Sequence, residues 1–350
     1  MQVSQEKLVS IVIPALKRPD LTQRCIDSVL KQSLPAAEYE IVVVENAADP
    51  ETVLPGPLPT RVRRIDLIEN YGTTGSINRG VEDSSSEYIL LLNNDVELDP
   101  QFLATLTAVL NNARDCGFAT GKLISAAGNR DRLDGAGDAL LRGGGAFRLG
   151  HFDLDVGQFD HSRRVLAGCG AATLFRRSVF EEVQGLDEDF FAYLDDVDLA
   201  LRAQLLGHQG IYVPSAIAYH IGSATLGHAL HPRIVAWMTR NQILLVAKNY
   251  PTRVLLKLLP QIVGFQILWF GMVVLRCRFF SYLKGMVGAI RALPRSFRSR
   301  ELLKRRRITD AEFLSLLKAS EEQILEWEDT RTPESRSGLL TAYFALFGKP

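Results

Sequence analysis

The chain has 350 residues, 47% of them hydrophobic, enough for one large core or for a core plus an accessory unit. Its formal charge of +0 is unevenly spread: 23 Lys and Arg face 31 Asp and Glu through residue 250, and 17 face 9 beyond it. Four scattered cysteines, with no CxxC pair and no zinc-like spacing, exclude a disulfide framework and read as reduced thiols of a cytosolic protein.

The N-terminus has neither the basic leader nor the small-residue cleavage site of a signal peptide. The first strand is VSIVIPAL, and residues 19–33 follow as a helix with Leu21, Cys25, Ile26 and Val29 on one face. YEIVVVEN and RRIDLIEN read as the second and third strands, and a helix runs through Ile77 and Val81. EYILLLNND is the fourth strand, and Pro100 suits the start of the next helix. Continuous apolar runs in these strands predict a mostly parallel α/β sheet covered by helices on both faces. Residues 125–165, rich in Gly, Arg and Asp, are expected to form a long, partly mobile excursion over a site. VLAGCGAATLFRR then returns as a strand and LDDVDLALRAQLLG as a helix, with GIYVP and AIAYHIG as two closing strands.

In open α/β sheets ligands bind beyond the carboxyl ends of the strands. Four such ends carry candidate groups here: Pro14, then Glu45 with Asn46, then Asn70, then Asn93, Asn94 and Asp95. Glu45 is suited to accept from a base N–H, which would select a pyrimidine. The glycines of NYGTTGSINRG sit where a helix N-terminus favours an anion. Asp95 is the natural ligand for a hard cation, Mg2+ or Mn2+, bridging to a diphosphate. In YLDDVDLALR, Asp195 and Asp198 stack at i, i+3 while Asp196 turns to another face. Acids at a helix start complement its dipole, but three in four residues repel, which points to a bound cation or a general base. His220, after a closing strand, is open to a structural or a ligating role.

Taken in order, VSIVIPAL, EIVVVEN, NYGTTGSINRG, LLLNNDVELDP, GCGAATLFRRSVFEEVQGLDEDFFAYLDDVDLALRAQLLG and AYHIGSAT resemble the family 2 inverting glycosyltransferases of GT-A fold. The likeness covers residues 9–251 and is to the bacterial rhamnosyltransferase-like branch in particular. It implies a donor of the nucleotide-diphospho-sugar class, dTDP- or UDP-linked, with rhamnose as the leading sugar, and a lipid-linked or glycan acceptor. By the same resemblance Glu45 contacts the base, and Pro14, Asn70, Gly75, Asn78, Arg79, Asn93 and Asn94 line the nucleotide-sugar site. Asp95 and His220 hold the metal and Asp196 is the general base, while Gly168, Cys169, Asp195 and Asp198 face the acceptor. Two positions depart from the family pattern: Glu45 stands where Asp is common, and Asn93 replaces the first carboxylate of the DxD element.

Beyond residue 250 the character changes. No acid occurs between Asp198 and Glu301, while 13 Lys and Arg do, so an anionic partner is expected. Residues 262–275 are apolar apart from Gln266 and too short for the roughly 20 residues of a spanning helix. An interfacial or re-entrant helix is the first reading, with a span or a buried helix as alternatives. Over residues 276–307 cations alternate with Phe279, Phe280, Tyr282, Leu283, Phe297, Leu302 and Leu303, the composition of a helix on an anionic membrane rather than on nucleic acid. The expectation is therefore a catalytic domain over 1–250 and a basic, apolar, membrane-associating helical region over 251–350. The protein would be peripheral or monotopic at the cytoplasmic face of the cell membrane. A sugar nucleotidyltransferase and a dinucleotide dehydrogenase are disfavoured, because PALKRPD after the first strand has no glycine-rich loop. A catalytically inactive nucleotide-sugar-binding scaffold stays open as an alternative.

Overall fold

The computed structural model describes residues 7–222 and 231–350. Residues 1–6, which begin the N-terminal stretch, and 223–225, which end AYHIGSAT, lie outside the described part. Strands are β1 (Val9–Ala15), β2 (Tyr39–Glu45), β3 (Val62–Asp66), β4 (Tyr88–Leu92), β5 (Val96–Leu98) and β6 (Cys116–Ser125). They continue with β7 (Leu133–Gly135), β8 (Asp138–Leu140), β9 (Ala146–Arg148), β10 (Arg163–Val165), β11 (Ala172–Arg176) and β12 (Gln209–His220). Helices are α1 (Pro19–Val29), α2 (Gly72–Glu82), α3 (Phe102–Asn112), α4 (Arg177–Glu182), α5 (Asp195–Leu205) and α6 (Pro232–Asn249). Beyond them lie α7 (Thr252–Lys257), α8 (Leu259–Leu275), α9 (Phe279–Arg298), α10 (Glu301–Lys304), α11 (Asp310–Asp329) and α12 (Gly338–Phe347).

The main sheet has the order β10-β12-β6-β11-β4-β1-β2-β3. From β4 to β3 it is parallel, as the apolar runs predict. Beyond β4 it is mixed, because β11 runs antiparallel to both β4 and β6. In between, β10 runs antiparallel along the first half of β12, and β11 then starts opposite Leu92 at the carboxyl end of β4 and runs back towards Tyr88. The expectation of a mostly parallel sheet therefore holds for one half only. The two closing strands are one, β12, which slips register between Val213 and Ile217 around Pro214, a residue with no N–H for the ladder.

Side chains alternate across the sheet with the period of two. On β1, Val12 enters one hydrophobic cluster while Val9, Ile11 and Ile13 enter the other. Residues 125–165 are not an excursion over the surface: Leu133, Ala136, Ala139, Leu140, Leu141 and Leu149 are fully buried. Two arms of this segment, β8 and β9, pair as a hairpin. Glycines 143 to 145 make the turn, and Gly144 at φ 88° needs the freedom only glycine has.

The C-terminal helices share that core, since Phe313, Leu317, Ile324, Trp327, Leu340 and Tyr343 belong to the same cluster as Val12 and Val44. Helix α11 starts on a reciprocal capping box between Thr309 and Glu312. Among the described residues no helix is long and apolar enough to cross a membrane, which removes the spanning alternative for the α8 region.

Candidate active site

The carboxyl ends of β1, β2, β4 and β12 meet on one edge. Pro14 lies half-buried near the end of β1. Glu45 ends β2 almost fully buried, accepting a hydrogen bond from the Leu54 N–H at 3.1 Å, and burial pushes its carboxyl up. Beside it Asn46 ties the next turn: its Oδ1 accepts from Tyr71 N (2.8 Å), and its Nδ2 donates to Asn70 Oδ1 (2.8 Å) and Gly72 O (3.1 Å). Asn70 also accepts from Gly72 N at 2.9 Å, so it shapes the entry to α2. Gly72, at φ 72°, is the position that demands glycine, because a Cβ there would stand 2.2 Å from the Phe191 carbonyl oxygen.

Three further residues expected at the nucleotide make contacts around α2. A Cβ on Gly75 would meet Tyr71 Cβ at 2.6 Å, so this glycine serves contacts around α2 itself. Asn78 exchanges bonds with the Leu186 backbone, donating to its O at 2.8 Å and accepting from its N at 2.9 Å. Arg79 donates to Gly75 O (2.8 Å) and Glu188 (3.0 Å) while stacking over Tyr71 at 4.0 Å. These side chains fasten α2 to the segment before α5.

At the end of β4, the Asn93 N–H donates to Ala171 O (2.9 Å), and Asn94 Nδ2 donates to Thr22 Oγ1 on α1 (3.0 Å). Asp95 faces inward, with Oδ1 3.3 Å from His220 Nε2. The other imidazole nitrogen, Nδ1, lies 2.7 Å from Asp134 Oδ2. Burial opposes charge on His220, but its bonds to Asp134 and Asp95 outweigh burial and lift it to about 9. Asp134 is itself buried, yet Arg148 at 2.9 Å and His220 hold its carboxyl well below the usual range. An imidazole braced by a carboxylate on its far nitrogen is how proteins orient metal-ligating histidines. With its Nε2 proton released, His220 would join Asp95 as a donor pair for a divalent cation. Among the described residues no three His, Cys, Asp or Glu converge as a complete cage, so such a cation would need further oxygens from diphosphate and water.

The acids of α5 separate into three environments. Asp196 is part-exposed; its Oδ2 accepts from Gly170 N at 2.9 Å and its Oδ1 from Val197 N at 2.8 Å. Asp195 is buried, and burial followed by the neighbouring Asp196 charge pushes it up to about 8. Asp198 is fully buried between Arg202 (2.7 Å), Lys248 (3.1 Å) and Asn249 (2.7 Å). It pins α5 to α6 and cannot face an acceptor. Nor can the Cys169 thiol, which is fully buried; Gly168 is packed against Thr173 Oγ1, 2.5 Å from where its Cβ would be. What this turn presents is the Gly170 N–H, and a Cβ on Gly170 would stand 2.8 Å from Asp196 Oδ2.

Asp134, Asp138, Arg148 and Gly170 were not singled out from the sequence. The first three lie within residues 125–165, where abundant Gly and Arg mask two short arms, DALL and AFRL, around a glycine turn. That pattern signals the arms that carry Asp138 and Arg148, not the roles of their side chains. Arg148 joins the two halves of the site: burial opposes its charge, but Cys169, Asp134, Asp138 and Asp196 together hold the guanidinium well above the ordinary arginine value. Asp138 is raised to about 7, burial outweighing the Arg148 charge.

The model of the family described as "Glycosyltransferase like family 2" matches residues 6–239. The O-antigen biosynthesis protein RfbC of Myxococcus xanthus is 28% identical over 240 residues, 66% of this chain and 18% of that protein. An N-acetylglucosaminyl-diphospho-decaprenol L-rhamnosyltransferase of Mycobacterium tuberculosis is 47% identical over 51 residues, 15% of this chain and 17% of that protein. The chain therefore spans less than a fifth of either relative's length in these matches. Among solved structures, a mannosyltransferase from Pyrobaculum calidifontis in complex with GDP-Man and Mn2+ superimposes with a TM-score of 0.52 at 13% identity. That match covers 98% of this chain and 87% of the other, and it speaks for the fold alone.

Proposed function

The chain belongs to the glycosyltransferase like family 2, and from that premise we propose that it moves a sugar, with inversion, from a nucleotide-diphosphate donor to an acceptor hydroxyl. One observation carries the reading: a single sheet edge holds both the Asp95–His220–Asp134 row and the Asp196 carboxylate aimed by Gly170. Asp196 takes the proton of the acceptor hydroxyl while that oxygen attacks the anomeric carbon from the face opposite the diphosphate. The bond from anomeric carbon to diphosphate oxygen breaks as the new bond forms, and a single displacement inverts the centre. Asp195, held protonated by burial, cannot compete as the base at neutral pH. A bound Mg2+ or Mn2+ would stabilise the charge of the departing diphosphate, and Asp95 and His220 are the residues that would hold it.

The short stretch shared with the mycobacterial rhamnosyltransferase supports rhamnose as the leading sugar and a lipid-linked acceptor, and a dTDP-linked donor is the first choice to test. A UDP-linked sugar and a glycan acceptor fit the same site. The exposed apolar rows of α8 and α9 are the basis for reading a peripheral or monotopic attachment to a membrane.

The deciding experiment is nucleotide release from dTDP-, UDP- and GDP-sugars with Mn2+ or Mg2+ and a lipid extract, comparing wild type with Asp196→Asn. Release from one donor, falling about 10²- to 10⁴-fold in the variant, is expected. Release indifferent to the substitution moves the base elsewhere. No release from any donor returns the scaffold reading.

A further inference from the structure

The segment 189–194 joins the donor side of the site to the start of α5, and its backbone is strained. Phe191, Tyr193 and Leu194 all adopt left-handed φ values, 65°, 69° and 63°, without being glycine. Such a run persists only where the surroundings over-determine it. Two adjacent residues of α6 supply the restraint. Asn241, fully buried, places Nδ2 3.1 Å from Phe190 O, 2.9 Å from Ala192 O and 2.7 Å from Tyr193 O. Its two amide hydrogens are thus shared among three carbonyls. Arg240 donates Nη2 to Asp189 O at 2.8 Å and to Phe190 O at 2.7 Å, and its Nε to Asn241 Oδ1 at 2.8 Å. Four carbonyls of one turn are taken up by one dipeptide.

The turn touches both halves of the reaction. Phe191 O lies over Gly72 at the entry to α2 and accepts weakly from Thr74 N at 3.4 Å. On the other side, Leu194 is the N-cap of α5, and its carbonyl accepts from Asp198 N at 2.9 Å, closing the first turn that carries Asp196. Further along α6, Lys248 and Asn249 hold Asp198 itself. We propose that Arg240 and Asn241 are positioning residues: they fix the left-handed turn 189–194 and so set where the Asp196 carboxylate stands against the donor. This rests on the reading of Asp196 as the base. Neither residue touches the reacting atoms.

Amide hydrogen exchange and steady-state kinetics on the full chain test it, using Asn241→Leu, Arg240→Gln and, as reference, Asp196→Asn. In Asn241→Leu, exchange over 189–198 should rise at least tenfold while amides of β1 and β4 stay unchanged. Its kcat should fall at least thirtyfold, with KM for the donor within threefold. Arg240→Gln, which leaves Asn241 in place, should show the same pattern more weakly and serves if Asn241→Leu does not fold. Unchanged exchange over 189–198 overturns the proposal, as does a kcat within twofold of wild type. A rise in exchange spread evenly over the chain does so too, because it marks a merely structural role. If wild type releases no nucleotide from any donor, the transfer reading falls, and the exchange pattern still decides whether the pair holds the turn.

Discussion

Asp195 and Asp196 are adjacent, identical in chemistry, and placed by one helical step in opposite surroundings. Asp196 faces the site edge with two backbone N–H donors on its carboxylate, while Asp195 turns into the protein with 8% of its surface exposed. Burial and the Asp196 charge raise Asp195 from 3.8 to about 8. Between those two values the folded chain keeps a proton that the unfolded chain has lost. Stability must therefore fall as pH rises through that window and level off above it, by up to about 1.4 kcal/mol for each unit crossed. Asp195→Asn removes the titration while keeping the shape. Its melting temperature should exceed that of wild type by a margin that grows from pH 4 to pH 8. A margin that is constant with pH would mean that Asp195 is charged in the folded protein.

The β8–β9 hairpin carries Asp138 and Arg148, yet its anchor lies some 180 residues away in sequence. Glu321 on α11 is fully buried and accepts from Arg142 N at 2.7 Å, Arg142 Nε at 2.5 Å and Tyr343 Oη at 3.0 Å. Ser320 Oγ accepts from Leu140 N at 2.7 Å, and Tyr343 Oη from Gly143 N at 3.0 Å. Glu321→Ala would leave the Arg142 guanidinium buried and unpaired, which costs about 3–5 kcal/mol. The urea midpoint should drop accordingly and activity should fall with it, through the loosened Arg148; Glu321→Gln should lose less on both counts. Activity retained at full level in a destabilised Glu321→Ala would separate the anchor from the site. This element also marks where sequence stops being legible. The apolar runs of β1, β2 and β4 name their own conformation, because any strand covered on both faces needs them. Asp95 and Asp196 could be picked out for the same local reason, an acid at a strand end or a helix start. Asp134 and Arg148 could not, because their role comes from long-range partners that no local pattern encodes. Asp198 misleads in the opposite way: spacing puts it beside Asp195, and only the approach of Lys248 and Asn249 from α6 shows that it is structural.

On the whole molecule, apolar surface is concentrated at one end. Among the described residues, fourteen of the eighteen exposed large hydrophobic side chains lie beyond residue 250, although the C-terminal helices contribute to the common core. Leu259, Val263, Ile267, Phe270 and Val274 form an exposed row along α8, and Phe280, Leu283, Val287, Ile290 and Phe297 one along α9. The opposite faces are committed: Gly285 lets α9 approach the Ala236 carbonyl on α6, and Trp269 Nε1 donates to Thr239 Oγ1 at 2.9 Å. Arg276, Lys284, Arg291 and Arg298 stand exposed around the two rows, and no acid lies between residues 198 and 301. Apolar rows accompanied by cations are the composition that would suit an anionic bilayer surface. They match a second copy of this chain poorly, since the cations would meet their own kind. The full chain should therefore sediment with phosphatidylglycerol-containing vesicles, much less with pure phosphatidylcholine, and less as salt is raised. Phe280→Glu combined with Ile290→Glu should weaken binding at least tenfold while nucleotide release with a soluble acceptor stays near wild type. A protein that ignores both vesicles and sediments alone as a dimer, reverting to monomer in the double variant, would assign these rows to self-association instead.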